Sequence, residues 1–266
     1  MGYETIIYEK KNRIAYLTLN RPHRGNSYDS VMEREVNEVW QDVKNNDEIW
    51  GVIVTGGGDK FFCSGIDQRA AAALDDFHKK GSNPSTFPDR PEGMWKPVIV
   101  AINGICCGAG VHWIWQNDVI ICSDKATFFD PHVTRGWTPV REMLGMATRM
   151  PFAVVMRMAV MGATERVDAK RAYDLGLVTE VVSSERLIPR ATEIMEQIFE
   201  QSPLVIRAII EILHRGMGLE YHYKQAEEMG ILIRKPLQNT EDRKEGTRAF
   251  AEKRKPVWKA RLGFRV

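Results

Sequence analysis

"KPVIVAINGICCGAGVHWIW", residues 96–115, decides the fold of this chain. From Pro97 to Ile102 it is apolar and β-branched, and it stops at Asn103-Gly104, which describes a strand buried on both faces. Glycines at 108 and 110 then turn the chain into "VHWIW", whose composition suits a buried helix. A strand that turns through glycine into a helix leaves backbone N–H groups without internal acceptors and with partial positive charge. A second stretch, "FFCSGID" (61–67), has the same character. Two such turns side by side would aim two N–H donors at one point, as an oxyanion hole does. Neither turn fits G-x-G-x-x-G or the phosphate loop with Gly-Lys-Ser/Thr, so nucleotide binding has no support.

Working outward, "RIAYLTLN" (13–20) and "WGVIVTGGG" (50–58) predict strands, and "SVMEREVNEVWQDVKNN" (30–46) between them predicts a helix. That helix carries Met32, Val36, Val39, Trp40 and Val43 on one stripe, with Ser30 as its expected cap. A β-α-β order implies parallel pairing. "DVIICS" (118–123) and "ATFF" (126–129) continue the strands, and beyond residue 139 the pattern turns helical. The fold class is therefore α/β, with a core expected over 1–200 and a helical region over 201–266. Residues 67–96 begin as helical sequence and decay into Pro, Gly, Ser and Asn, the composition of a mobile flap.

The totals exclude several classes. The formal charge of +2 does not suggest a nucleic-acid binder, and the basic tail "RKEGTRAFAEKRKPVWKAR" reads as a solvated helix face. Cys63, Cys106, Cys107 and Cys122 show no C-x-x-C spacing, so they read as small buried residues in a reducing compartment. The N-terminus lacks the apolar core of a signal peptide and no long apolar run crosses a membrane, so a cytoplasmic location is expected. No spaced ligand set completes a metal site around His112, His132 and Asp130, and none is expected.

Several ordered motifs together resemble the crotonase (enoyl-CoA hydratase/isomerase) superfamily over nearly the whole chain. "LNRP" with Asn26 beyond it is similar to the family's first loop. "FFCSGID" and "KPVIVAINGICCGAG" are similar to its two glycine-bearing segments. "ATERVDAKRAYDLGLVTEVV" resembles its A-x-x-x-G-L-V region and "DRKEGTRAFAEKRKP" its C-terminal helix. The resemblance implies a crotonase-like spiral of β-β-α units with a C-terminal helical trimerisation region, assembled as a homotrimer or dimer of trimers. It also implies an acyl-CoA substrate, with coenzyme A entering as part of the thioester and no tightly bound cofactor. Carried onto this chain, the oxyanion donors are the N–H groups of Ile66 and Ala109. Arg24, Gly65, Asp67, Arg69 and Gly108 fall at positions expected near CoA. Phe250 and Lys253 fall where the family can reach a neighbouring subunit's cofactor.

The chain departs from the family where the simple hydratases place two glutamates around a water. His112, three residues after Ala109, stands at the first position, and His132, in "FFDPH", stands at the second. A neutral imidazole, with an ordinary pKa of about 6.5, offers both an acceptor and a donor at neutral pH. Asp130 and Glu142 are candidate orienting carboxylates, and Trp137 is a candidate wall of the acyl pocket. This predicts hydratase or isomerase chemistry on an acyl-CoA with a histidine pair as acid and base. Two alternatives accompany it. The D-P-H run is similar to the histidine segment of the β-diketone hydrolases of this fold, which implies C–C bond hydrolysis of a cyclic β-diketone or β-ketoacyl-CoA. The likeness is partial: the acid that follows in those enzymes is not matched, since Val140-Arg141-Glu142 stands there instead, and their other histidine does not align with His112. The other alternative is a non-catalytic relative that binds acyl-CoA or RNA. A serine hydrolase through Ser64 lacks triad spacing.

Overall fold

A computed structural model describes residues 2–67, 89–216, 225, 228–232, 235, 237 and 240–258. The expected flap and Arg69 thus lie largely outside the described residues. The chain begins with a hairpin, β1 (Ile6–Lys11) and β2 (Ile14–Leu19). It continues with α1 (Ser30–Asn45), β3 (Gly51–Gly56), β4 (Phe61–Cys63), β5 (Val98–Ile102) and β6 (Ile105–Cys107). A 3₁₀ turn (Gly108–Val111) leads into the short α2 (His112–Trp115), followed by β7 (Val119–Ser123) and β8 (Thr127–Phe129). Then come α3 (Arg141–Met146), α4 (Phe152–Met161), β9 (Val167–Asp168), α5 (Ala169–Asp174) and β10 (Glu180–Val182). Helices α6 (Leu187–Phe199), α7 (Pro203–Gly216) and α8 (Glu241–Ala251) follow. The expected boundary at residue 200 falls in the turn between α6 and α7.

The strands sort into two sheets. The larger has the order β1-β2-β3-β5-β7-β10, parallel throughout except for the β1–β2 hairpin. The smaller has the order β4-β6-β8-β9. Each turn of the chain therefore lays one strand in the large sheet and the next in the small one before the next helix, which makes a β-β-α spiral. The period-2 alternation of strands explains the layering. Val98, Val100 and Ile102 of β5 point into the main core with Trp40, Phe62 and Trp113. Ile99 and Ala101 point to the other face, where Leu187, Ala191 and Met195 of α6 cover them.

One strand is added to the sequence reading here and one expectation is corrected. Residues 6–11 form a strand although Glu9, Lys10 and Lys11 make them look like a solvated start. Asn12 and Arg13, both at positive φ (51° and 66°), close the hairpin with β2. The cap of α1 is Asp29, not Ser30: its carboxylate accepts from the N–H groups of Val31 and Met32 at 3.1 and 2.9 Å. Asp29 keeps extended dihedrals while Ser30 is already helical. The basic tail also has a partner. Glu245 of α8 accepts from Arg248 and Arg254 and from the Val257 N–H, so one carboxylate gathers the end of the described chain.

Candidate active site

The two glycine turns meet. Gly65 has φ +95°, and a Cβ placed there would lie 3.0 Å from the Ala109 nitrogen and 3.3 Å from the Cys107 carbonyl oxygen. Only glycine allows both the backbone and that approach. Tyr28 pairs with Ile66 as a parallel bridge, in which the Tyr28 N–H donates to Gly65 O (2.8 Å) and the Asp67 N–H to Tyr28 O (2.7 Å). Parallel pairing in that register uses the groups flanking Ile66 and leaves the Ile66 N–H pointing to the opposite side. Gly108, at φ +55°, takes the chain from β6 into the 3₁₀ turn and presents Ala109.

His132 closes over the second turn. A Cβ on Gly108 would lie 3.7 Å from its Cε1 and from Pro131. Its Nδ1 donates to Asp130 Oδ1 at 2.5 Å. Asp130 is fully buried, and its other oxygen, Oδ2, has no hydrogen-bond partner among the described residues. His112, on α2, is 3% exposed and packs against the Trp115 ring at 5.5 Å. Between the two imidazoles lies one atom, Glu142 Oε1, 3.4 Å from His112 Nε2 and 3.9 Å from His132 Nε2. Helix α3 delivers it, and its second oxygen accepts from the Val140 N–H at 3.3 Å. Glu142 stands at the centre of the cluster, its side chain 13% exposed, rather than on the helix surface, because α3 packs against α2.

The charges follow from this geometry. Burial by itself depresses the His132 imidazolium, but Asp130 and Glu142 beside it outweigh the burial and push its pKa up to about 9. Burial likewise pushes Glu142 up, and the positive charge of His132 with the His112 contact overcomes it, holding the carboxyl far below its ordinary range. The expectation of a neutral imidazole is therefore corrected at His132, whose two neighbouring carboxylates favour its protonated form at neutral pH. Its Nε2–H, 3.9 Å from Glu142, is too distant for a hydrogen bond and stays available.

The remaining sequence-nominated residues are spread more widely. Arg24 is exposed in the loop whose next residue, Gly25, accepts from the Ser64 N–H at 2.9 Å. Asp67 is paired with Arg21 at 3.1 Å, which commits its carboxylate to the loop. Phe250 is half exposed under the Arg135 guanidinium (4.0 Å), and Lys253 is exposed at positive φ. Trp137 lies under Arg243 of α8 at 3.4 Å. The Ser64 hydroxyl faces Gly25. Among the described residues, no group of three metal-ligating side chains converges, and no helix is long and apolar enough to cross a membrane. Sequence reasoning missed Arg21, which ties Asp29 (3.0 Å) to Asp67 (3.1 Å), and Tyr28, which bonds to the first turn and to Trp113 on α2. An Arg and a Tyr in a loop otherwise built for turning were the available signal.

A spiral of β-β-α units with two apposed glycine turns at its centre defines a crotonase-type fold. The enoyl-CoA hydratase/isomerase family profile matches residues 9–261, and the chain belongs to that family. It is 34% identical to the carnitinyl-CoA dehydratase of Citrobacter koseri, over 97% of this chain and 99% of that one. Among solved structures it resembles an enoyl-CoA hydratase/isomerase from Mycobacterium paratuberculosis (TM-score 0.74, 39% identity, 98% and 100% covered). It also resembles a carnitinyl-CoA hydratase from Mycobacterium avium (TM-score 0.82, 29% identity, 97% and 99% covered).

Proposed function

We propose that this chain interconverts 3-hydroxyacyl-CoA and enoyl-CoA thioesters, adding or removing water across Cα and Cβ. The observation that carries the reading is Glu142 Oε1 lying between His112 Nε2 and His132 Nε2. In this reading the thioester oxygen sits between the Ile66 and Ala109 N–H groups, which stabilise the enolate. In the dehydration direction His112 takes the Cα proton, while protonated His132 gives its Nε2 proton to the departing hydroxyl, which leaves as water. One positive charge thus passes from one ring to the other beside a fixed carboxylate. With separations of 3.9 and 3.4 Å the Coulomb energy changes by only about 0.6 kcal/mol at an effective dielectric of about 20. Asp130 fixes the tautomer of His132 through Nδ1.

The curated relatives, named as dehydratases, support a β-hydroxy thioester as substrate. The test is a panel of crotonyl-CoA, 3-hydroxybutyryl-CoA, acetoacetyl-CoA and a cyclic β-ketoacyl-CoA with product identification. Water addition to crotonyl-CoA is expected, and a ring-opened acid as the sole product would overturn the reading in favour of C–C hydrolysis.

The assembly proposed is a homotrimer or dimer of trimers. Leu204, Val205, Ile209, Ile212 and Leu213 of α7 are all exposed at 49–75%, an apolar face one chain leaves in water. Sedimentation is expected to give three or six times the 30.4 kDa chain mass. A monomer at micromolar concentration would refute that assembly.

A further inference from the structure

Tyr28 is placed to brace the two halves of the carbonyl-binding turn pair. Its main chain holds Ile66 through the bridge described above, at 2.8 and 2.7 Å. Its hydroxyl accepts a hydrogen bond from Trp113 Nε1 at 2.5 Å. Trp113 follows His112 directly on α2, and the His112 N–H donates to the Ala109 carbonyl. One side chain therefore links the segment that presents the Ile66 N–H to the helix that carries Ala109 and His112.

The surroundings make Tyr28 the fixed end of that link. Arg21 donates to Ser27 O (2.7 Å) and pairs with both Asp29 (3.0 Å) and Asp67 (3.1 Å), so the chain on either side of Tyr28 is held. Trp113 packs against Trp40 of α1 with ring centroids 5.9 Å apart, and Asn117 donates to its carbonyl at 2.8 Å. Both aromatic residues are 1% exposed. In that dry setting water cannot replace the bond, and burial keeps the Tyr28 phenol neutral by pushing its pKa well above the ordinary value.

We infer that the Tyr28–Trp113 hydrogen bond is a positioning device that sets the distance between the Ile66 and Ala109 N–H donors. This inference rests on the thioester-carbonyl site proposed above. Two donors stabilise an enolate only if both reach the same oxygen at about 2.7–3.1 Å. A hydrophobic pair of the same size would fill the space without fixing that separation, whereas a directional bond does fix it. Tyr28 touches no reacting atom and acts through the turns it joins.

The experiment uses acetoacetyl-CoA, whose enolate absorbs in the near ultraviolet, together with crotonyl-CoA turnover. The parent enzyme is expected to shift the ionisation of bound acetoacetyl-CoA toward the enolate. In Tyr28→Phe the shift shrinks and kcat for crotonyl-CoA falls about tenfold, less than the 10²–10³-fold expected for losing a whole donor. KM stays within about twofold because the contacts to the rest of CoA are untouched. The Tyr28→Phe/Trp113→Phe double variant, which removes both polar partners, is expected to regain melting temperature but not kcat. Trp113→Phe probes the same bond from the donor side should Tyr28→Phe not fold. A parent that leaves acetoacetyl-CoA ionisation unchanged overturns the brace together with the carbonyl site. A parent that shifts it, with variants that match the parent in kcat and spectrum, overturns the brace alone.

Discussion

Replacing His132 by glutamine is expected to slow dehydration of 3-hydroxybutyryl-CoA by about 10²–10⁴-fold, the range for losing a positioned general acid. The pH dependence is the sharper part of this expectation. With His132 pushed up to about 9, the free parent enzyme carries the proton that the leaving hydroxyl needs throughout the neutral range. For dehydration, kcat/KM should therefore be flat on the alkaline side until about pH 9 and then fall tenfold per pH unit. Hydration is the same step run backwards, and the overall reaction neither gains nor loses a proton. Its equilibrium constant therefore does not depend on pH, so kcat/KM for hydration must follow the same alkaline limb. In His132→Gln both limbs vanish along with the rate. Initial rates in the two directions between pH 6 and 10.5 decide the matter. A parent kcat/KM that stays flat through pH 9 and beyond would remove His132 from the acid role.

Asp130 makes that state possible. One of its oxygens takes the His132 Nδ1 proton and the other is buried without a hydrogen bond among the described residues. A desolvated carboxylate so placed gains most from a full positive charge on its neighbour. The sequence carried part of this arrangement. The i+3 step from Ala109 to His112 and the D-P-H run put two imidazoles at the site, and proximity nominated Asp130. The glycine turns and the buried strands were legible because their composition is local. Glu142 was only a weak candidate because its direction depends on the path of residues 133–140 and on how α3 packs, neither of which a local pattern fixes. Its neighbours Met143 and Met146, both buried, were the hint that this turn of helix faces inward. The N-terminal strand was hidden for a different reason. Its outward face is charged, and the Asn12-Arg13 turn is made by residues that adopt positive φ less readily than glycine. The Tyr28–Trp113 contact joins residues 85 positions apart, which no spacing rule connects.

Glu142→Gln should disturb both the pH profile and the stability, and the two effects have linked signs. The substitution keeps the shape of the side chain and removes the charge that both rings share. His132 then keeps only Asp130 as a raising neighbour, so the alkaline limb for dehydration moves below pH 9. The contact from Glu142 Oε1 to His112 Nε2 (3.4 Å) also loses its charged partner, and kcat is expected to fall below that of the parent. For stability, a rise in the His132 pKa from 6.5 to about 9 corresponds to roughly 3 kcal/mol favouring the folded state. Because the folded pKa lies above the unfolded one, that contribution is complete below pH 6.5 and disappears as the pH climbs through 9. The Glu142 contribution has the opposite sense: its folded pKa is depressed, so it is present above the ordinary carboxylate range and is lost on acidification. Breaking a buried pair typically costs about 3–5 kcal/mol. Urea unfolding at pH 7 should therefore place Glu142→Gln several kcal/mol below the parent, and the gap should narrow at pH 10, where the parent has itself lost the His132 charge. A gap of the same size at both pH values would mean that Glu142 stabilises by packing and carries no charge for the histidines.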